Sequence, residues 1–426
     1  MSCYHAAMHT AKKVAPLPAY FRRRMNMESL LASRRVLRLV YEKGPLTQAE
    51  AAHALDLSQG ACNLHFQRLE YEGLVRGQRL EPEGRGRPRF RWELSRAQNA
   101  TIGLVCDPPH LFVQMEDFAG QKLFSQELNL KGCRDHMQVA EKMCALVQRA
   151  VTAARERELR LRYAFAALPG VLDPVTGAVR RAVNFTPLDG LDVQALLRAQ
   201  FNLPAHANGL GVAYYYGEAA DIPPDHTALV IYWDLGLGLV FGRNRQILTV
   251  QGGDQHGRIL SELGHISIAA DGPRCHCGQR GCLEAYAGGW VLLQHFAKSG
   301  VQTLEDLAQL ASAGKSGVDA TLQDITRLLG SNLACALQMF GVTVIRVTGP
   351  LAPVFARGQS AFTAGLAGVI GAERAASIQI AVSQDVSDRL LRGATRAARR
   401  AFIYPDEFAR LSRVSCTLQG QLLAGD

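Results

Sequence analysis

Polar and apolar positions change their period along this chain, and the changes mark its parts. "LLASRRVLRLVYEKG" (30–44) carries apolar residues at helical spacing and stops at Gly44-Pro45. "TQAEAAHAL" (47–55) opens with Thr47 and has Glu50 three residues on, a capping box that starts a second helix. Ser58 caps a third helix through about Tyr71, with Cys62, Phe66 and Leu69 on one face. Gln59, Gly60, Asn63 and Gln67 fall largely away from that face. "GLVRGQRLEPEGRGRPRFRWEL" (73–94) then alternates like two strands, with Phe90, Trp92 and Leu94 on one side and Arg89 and Arg91 on the other. Two capped helices across a tight turn, followed by a hairpin, predict a winged helix-turn-helix whose second helix enters a DNA major groove.

From about residue 97 the pattern becomes mixed α/β. "TIGLVCD", "LFVQMED" and "KLFSQEL" read as consecutive strands, a helix follows over roughly 135–158, and "YAFAALPG" is another strand. "TALVIYWDLGLGLVFGRNRQIL" (227–248) repeats the opening of strand, glycine-containing turn, strand, polar turn and strand. Two β-β-β-α starts in one chain predict a duplicated α/β fold with two lobes facing a cleft.

Charge sharpens this division. Residues 1–100 hold 17 Lys and Arg against 9 Asp and Glu, while the remaining 326 residues hold 30 against 29. The excess therefore belongs to the first quarter, as a polyanion-binding head requires. The expected division is a basic, disordered tail over 1–27, a DNA-binding domain over 28–96, and a body over 97–426. Ser58, Gln59, Asn63 and Gln67 on the recognition helix are the candidate DNA contacts. Arg85, Arg87 and Arg89 in the wing join them, because an extended arginine-bearing tip between glycines and a proline suits a backbone or minor groove. Such a unit also has a protein-contact reading, which the charge asymmetry weighs against. The start, "MSCYHAAMHTAKKVAPLPAYFRRRMNM", shows no signal-peptide core, and no long apolar run follows, so a cytoplasmic protein with no membrane partner is expected.

Ten cysteines are scattered except for three in "CHCGQRGCLE" (275–284). A disulfide framework suits a small secreted chain with regular spacing, which this is not. Cys275, Cys277 and Cys282, with His265 ten residues upstream, compose a Cys₃His set suited to tetrahedral zinc; unliganded core thiols are the other reading. Four protein ligands leave no place for a catalytic water, so the zinc would be structural.

At these residues the sequence resembles the ROK family of repressors, open reading frames and kinases. "SELGHISIAADGPRCHCGQRGCLE" is similar to the family's "GEIGH" and "CxCGxxGCxE" elements, with every zinc ligand in place. "LPGVLDPVTGAVRRAVNFTPLDG" (168–190) and "GATRAA" (393–398) extend the likeness across about 97–400. The resemblance implies an actin-like (ribonuclease H-like), two-lobed sugar-kinase fold, α/β in class, behind a winged helix-turn-helix. It implies that Asn184, Glu262, His265 and Glu284 hold sugar hydroxyls; bracing the zinc loop from behind its ligands is the alternative for the two glutamates.

Three departures bear on activity. Gly209 and Leu210 stand where ROK kinases carry an Asn-Asp pair whose Asp is the base. "CDPPH" (106–110) stands for the glycine turn "DIGGT", and "VTGPLAP" (347–353) for a second glycine-rich turn. An aliphatic Leu210 accepts no proton, and proline offers no backbone donor to phosphate. The expected protein is a transcriptional regulator, a repressor, with a catalytically inactive body that senses a sugar or sugar derivative. It would bind operator DNA as a homodimer or homotetramer. A regulator controlled by a protein partner, and an active sugar kinase, are the alternatives.

Overall fold

The computed structural model describes residues 27–80, 90–173, 176–182, 185–251, 257–259, 262–314 and 316–405, with the side chains at 27–30, 250, 251, 257–259, 262, 316 and 317 set aside. Arg85, Arg87, Arg89 and Asn184 lie outside these residues, as does the tail up to residue 26. The chain divides into two compact units at Arg96/Ala97.

In the first unit, α1 (Met27–Lys43) is followed by the short strand β1 (Leu46–Thr47), α2 (Gln48–Leu55) and α3 (Gln59–Tyr71). Thr47 and Glu50 form the expected capping box: the Thr47 hydroxyl accepts the Glu50 N–H, and the Glu50 carboxylate accepts the Thr47 N–H at 2.7 Å. The Ser58 hydroxyl accepts the Ala61 N–H at 3.1 Å and starts α3. Strands β2 (Val75–Arg79) and β3 (Phe90–Leu94) pair antiparallel, and β1 joins the outer edge of β3. The core forms where the Trp92 ring stacks on Phe66, 4.8 Å apart. Leu94 is buried with Trp92, but Phe90, the first residue of β3, is 38% exposed. His65 is buried too, bonded to Ser33 at 2.9 Å and tying α3 to α1.

The second unit contains two five-stranded sheets of the same design. The first is built from β4 (Asn99–Asp107), β5 (His110–Asp117), β6 (Lys122–Asn129), β7 (Arg160–Leu168) and β10 (Ala205–Gly209), in the order β10-β7-β4-β5-β6. The small hairpin of β8 (Val171–Leu172) and β9 (Val179–Arg181) lies between β7 and β10 in the chain. The second sheet runs β13-β12-β11-β16-β17, from β11 (Thr227–Trp233), β12 (Leu237–Arg243), β13 (Gln246–Ile247), β16 (Val344–Thr348) and β17 (Gln379–Val382). Strands β14 (Thr249–Gln251) and β15 (Gly257–Ile259) pair separately. In both large sheets an antiparallel meander of three strands is followed by two parallel strands on the other side of the first. This is the duplication read from the two β-β-β-α starts, in the actin-like arrangement.

Helices α4 (His136–Glu156) and α5 (Val193–Phe201) bury their apolar faces with the first sheet. After α6 (Leu210–Glu218), the second lobe is built on α7 (Glu284–Ala287), α8 (Gly289–Phe296), α9 (Leu304–Ser312), α10 (Ser316–Met339), α11 (Ala352–Ile370) and α12 (Ala372–Ala376). Its core includes Trp233, Phe355 and Phe362, fully buried. The last helix, α13 (Val386–Ile403), crosses α6, and their shared core draws on both sheets, with Phe165 from one and Val230 and Val240 from the other. Glycine makes that crossing close: a Cβ at Gly393 would lie 1.8 Å from the Ala213 carbonyl oxygen. Gly393 opens the "GATRAA" stretch, which gives that motif a packing reason. No helix among the described residues is long and apolar enough to cross a membrane.

Candidate functional site

Two places bring together the predicted chemistry. In the first unit, Ser58, Gln59, Gly60 and Gln67 are exposed at the cap and along α3, while Asn63 is half-buried. The first turn of α3 carries no acidic residue, so nothing there repels a phosphate backbone. Gln48, the first residue of α2, donates its Nε2–H to Asn63 Oδ1. Sequence reading passed over Gln48, which follows the Thr47 cap and carries no signal of its own within the segment.

The thiol loop belongs to the second unit. A single 3₁₀ turn, Glu262–His265, delivers His265. The chain then folds back on itself, with Ser267 opposite Cys282 and Arg274 opposite Arg280. The Ile268 N–H donates to Gly281 O at 2.8 Å, and Leu283 N–H to Ile266 O at 2.9 Å. Gly281 has φ +69°, and a Cβ there would lie 1.7 Å from Ala269 O, so only glycine fits this turn.

His265, Cys275, Cys277 and Cys282 converge, their ligand atoms all within 4.8 Å of one another. His265 Nδ1 lies 3.6 Å from Cys275 Sγ, and Cys277 Sγ lies 3.6 Å from Cys282 Sγ. Tetrahedral zinc with ordinary bond lengths separates S from N by about 3.5 Å and S from S by about 3.8 Å. The four groups thus fit that ion in number, type and spacing. Cys275 and Cys282 are buried, and burial pushes the Cys275 thiol up to about 12 and raises that of Cys282. A dication among them would reverse this, since it favours thiolate. His265 turns Nδ1 to the thiols, leaving Nε2 as its second contact atom.

Glu284 begins α7 and is 9% exposed. Its Oε2 accepts the Leu237 N–H at 2.9 Å, and Cys275 Sγ donates to Oε1 at 3.9 Å. One carboxylate therefore joins the thiol loop to the turn between β11 and β12. That turn is fastened again by Gly289 N–H to Asp234 O and Trp290 N–H to Leu235 O, both 3.0 Å. The side chain of Glu262 and all of Asn184 fall outside the description, so of the four expected sugar residues the structure places the side chains of His265 and Glu284 together.

The three departures can also be located. Gly209 ends β10, and Leu210 starts α6 and packs against the core that α6 shares with α13. Pro108 and Pro109 make the turn between β4 and β5. At the end of β16, the Leu351 N–H is spent on Trp233 O at 3.0 Å, and Pro350 has no N–H. Asp107, last in β4, and Asp234, just after β11, occupy equivalent places in the two sheets, and the Asp234 charge acts on Asp107. Burial, then the Asp234 charge, pushes Asp107 up to about 6, and burial raises Asp234. Sequence reading missed this pair because its members are 127 positions apart and each follows an ordinary strand.

The ROK family pattern matches residues 114–359, more than half of the chain. The chain belongs to the ROK family. A winged helix-turn-helix DNA-binding pattern matches residues 32–76, so this ROK body follows a DNA-binding head. A xylose repressor of Caldicellulosiruptor bescii is 22% identical over 282 residues, covering 64% of this chain and 67% of its own. The DNA-binding transcriptional dual regulator NagC of Escherichia coli K12 is 22% identical over 344 residues, covering 75% and 80%. Among solved structures, a ROK family transcriptional regulator homologous to the E. coli MLC protein superposes with a TM-score of 0.75 at 18% identity, over 91% of this chain and 99% of that one. A ROK family glucokinase of Streptomyces griseus, solved with glucose and AMPPNP, superposes with a TM-score of 0.58 at 20% identity, over 71% and 99%. The larger coverage of the regulator corresponds to the head, and the shared body confirms the actin-like, two-lobed fold of this ROK chain.

Proposed function

We propose that this ROK protein is an operator-binding transcriptional repressor whose kinase-like body senses a sugar and transfers no phosphate. The observation that carries the reading is the capped helix-turn-helix, with Gln59 and Gln67 exposed along its recognition helix, joined to a ROK body. Repressors of this architecture among its relatives are named for xylose and N-acetylglucosamine, and a small sugar of that class is the effector expected here. Ser58, Gln59, Asn63 and Gln67 would meet the major groove, with Arg85, Arg87 and Arg89 of the wing beside the backbone. Paired half-sites call for a homodimer or homotetramer.

In the body, His265, Cys275, Cys277 and Cys282 hold zinc, which supplies a structural crosslink and favours thiolate. His265, fixed by that bond, offers Nε2 to a sugar hydroxyl, and Asn184, Glu262 and Glu284 complete the contact set. A hydroxyl at Glu284 competes with the Leu237 N–H for the same carboxylate. Sugar binding would thereby shift the turn between β11 and β12, and with it the seam between lobes. Phosphoryl transfer finds no support: Leu210 accepts no proton, and the prolines at 108, 109 and 350 give no donors to phosphate.

The test is selection of genomic fragments by the intact chain, followed by operator titration with xylose, N-acetylglucosamine and related sugars. The reading expects one enriched site class and a sugar that changes its affinity about 5- to 150-fold. No enriched site would end it. Enrichment with no sugar response in affinity or melting temperature would move control to a protein partner.

A further inference from the structure

Asn63 is expected to meet DNA through its amide, yet its oxygen is already held within the protein. Gln48 Nε2 donates to Asn63 Oδ1 across 15 residues of sequence. Gln48 is the first residue of α2, and the capping box of Thr47 and Glu50 sets where the helix begins. Asn63 sits four residues beyond Gln59 on α3, along the stripe that includes the exposed Gln59, Gly60 and Gln67.

We propose that Gln48 is a specificity-determining residue, which fixes Asn63 so that its Nδ2 amide, a hydrogen-bond donor, faces the major groove. This rests on the reading of the head as an operator-binding unit. An unrestrained asparagine turns its amide to accept or donate, and reads adenine with both atoms at once. With Oδ1 turned toward Gln48, the outward group of Asn63 donates. Acceptor edges then suit it: N7 of a purine, O6 of guanine or O4 of thymine. Cytosine presents an amino donor at the same depth, and two donors facing each other leave both unpaired. The pair therefore rejects cytosine at one position of each half-site. Gln48 itself makes no base contact in this scheme and acts through Asn63.

The experiment is selection from a pool of randomised duplexes by the intact chain, comparing wild type, Gln48→Leu and Asn63→Asp. Wild type should disfavour cytosine about fivefold or more at one position, the worth of a single hydrogen bond. Gln48→Leu, similar in size but without a donor, should lose that bias at that position alone. Its melting temperature and the salt dependence of binding should stay as in wild type, which a general structural defect would not allow. Asn63→Asp, an acceptor at neutral pH, should turn the bias toward cytosine. An unchanged profile in Gln48→Leu, or an unchanged cytosine penalty in Asn63→Asp, overturns the inference while the DNA-binding reading stands. If wild type enriches no sequence, both fall together.

Discussion

Asp107→Asn should stabilise the body at neutral pH, against the usual expectation for removing a charge from a folded protein. Burial, then the charge of Asp234, pushes the Asp107 carboxyl from the ordinary 3.8 up to about 6, with His110 pulling back. An acid whose folded-state value is raised prefers to be protonated in the folded chain. Its stabilising contribution is complete below about pH 4 and is lost as pH rises through about 6. Near pH 8 the folded protein therefore carries the Asp107 charge in a buried place beside Asp234. A shift of about two pH units, at 1.36 kcal/mol each, sets a ceiling of about 3 kcal/mol. Relaxation and water around a partly open site bring the expected gain to about 1–2 kcal/mol. Asparagine keeps the shape and is neutral throughout. The assay is urea unfolding of the intact chain at pH 5 and pH 8, following the transition of the body. The variant should exceed wild type more at pH 8 than at pH 5, and the wild-type loss of stability between those values should flatten. An equal midpoint at pH 8, or the same gap at both values, would refute the argument.

The remaining predictions concern metal, packing and chemistry. Purified protein should contain about one zinc per chain by elemental analysis, and Cys282→Ala should lose it; a metal-free wild type would return the thiols to the plain core reading. Gly281→Ala should also lose the metal, because its Cβ would fall 1.7 Å from Ala269 O, and metal content with circular dichroism will show it. Glu218 on α6 is fully buried between Arg346 of β16, at 2.9 Å, and Arg389 of α13, at 3.4 Å. Asp221 also holds both guanidiniums, at 3.4 Å from Arg346 and 2.5 Å from Arg389, so Glu218→Leu should cost about 1–3 kcal/mol, below the full cost of breaking a buried pair, measurable by denaturant unfolding. Hexose-dependent ADP release should be undetectable, and turnover of about 1–100 per second would restore the kinase reading.

Local signals in the sequence were legible and distant ones were not. The Thr47–Glu50 box, the Ser58 cap and the thiol loop each depend on neighbours within about ten residues, where spacing fixes geometry. The duplicated sheet was legible because strand, turn and strand recur with the same period in both lobes. Phe90 shows where alternation fails: period two assigns it to the buried side with Trp92, but burial at a strand end needs a covering element as well as the right parity, and among the described residues Phe90 stays 38% exposed. Glu284 shows the limit at the site. Its position in the loop motif marks it as important, but not that its carboxylate is bonded to Leu237, 47 residues earlier, across a turn built by another strand pair. The link between Asp107 and Asp234 needed both sheets before it existed at all. Side chains that act alone are written in the pattern of their own segment, whereas those that act through a partner become visible only when the fold supplies the partner. Gln48 belongs to the second kind: nothing in "TQAEAAHAL" distinguishes it from any exposed helix residue until α3 brings Asn63 alongside.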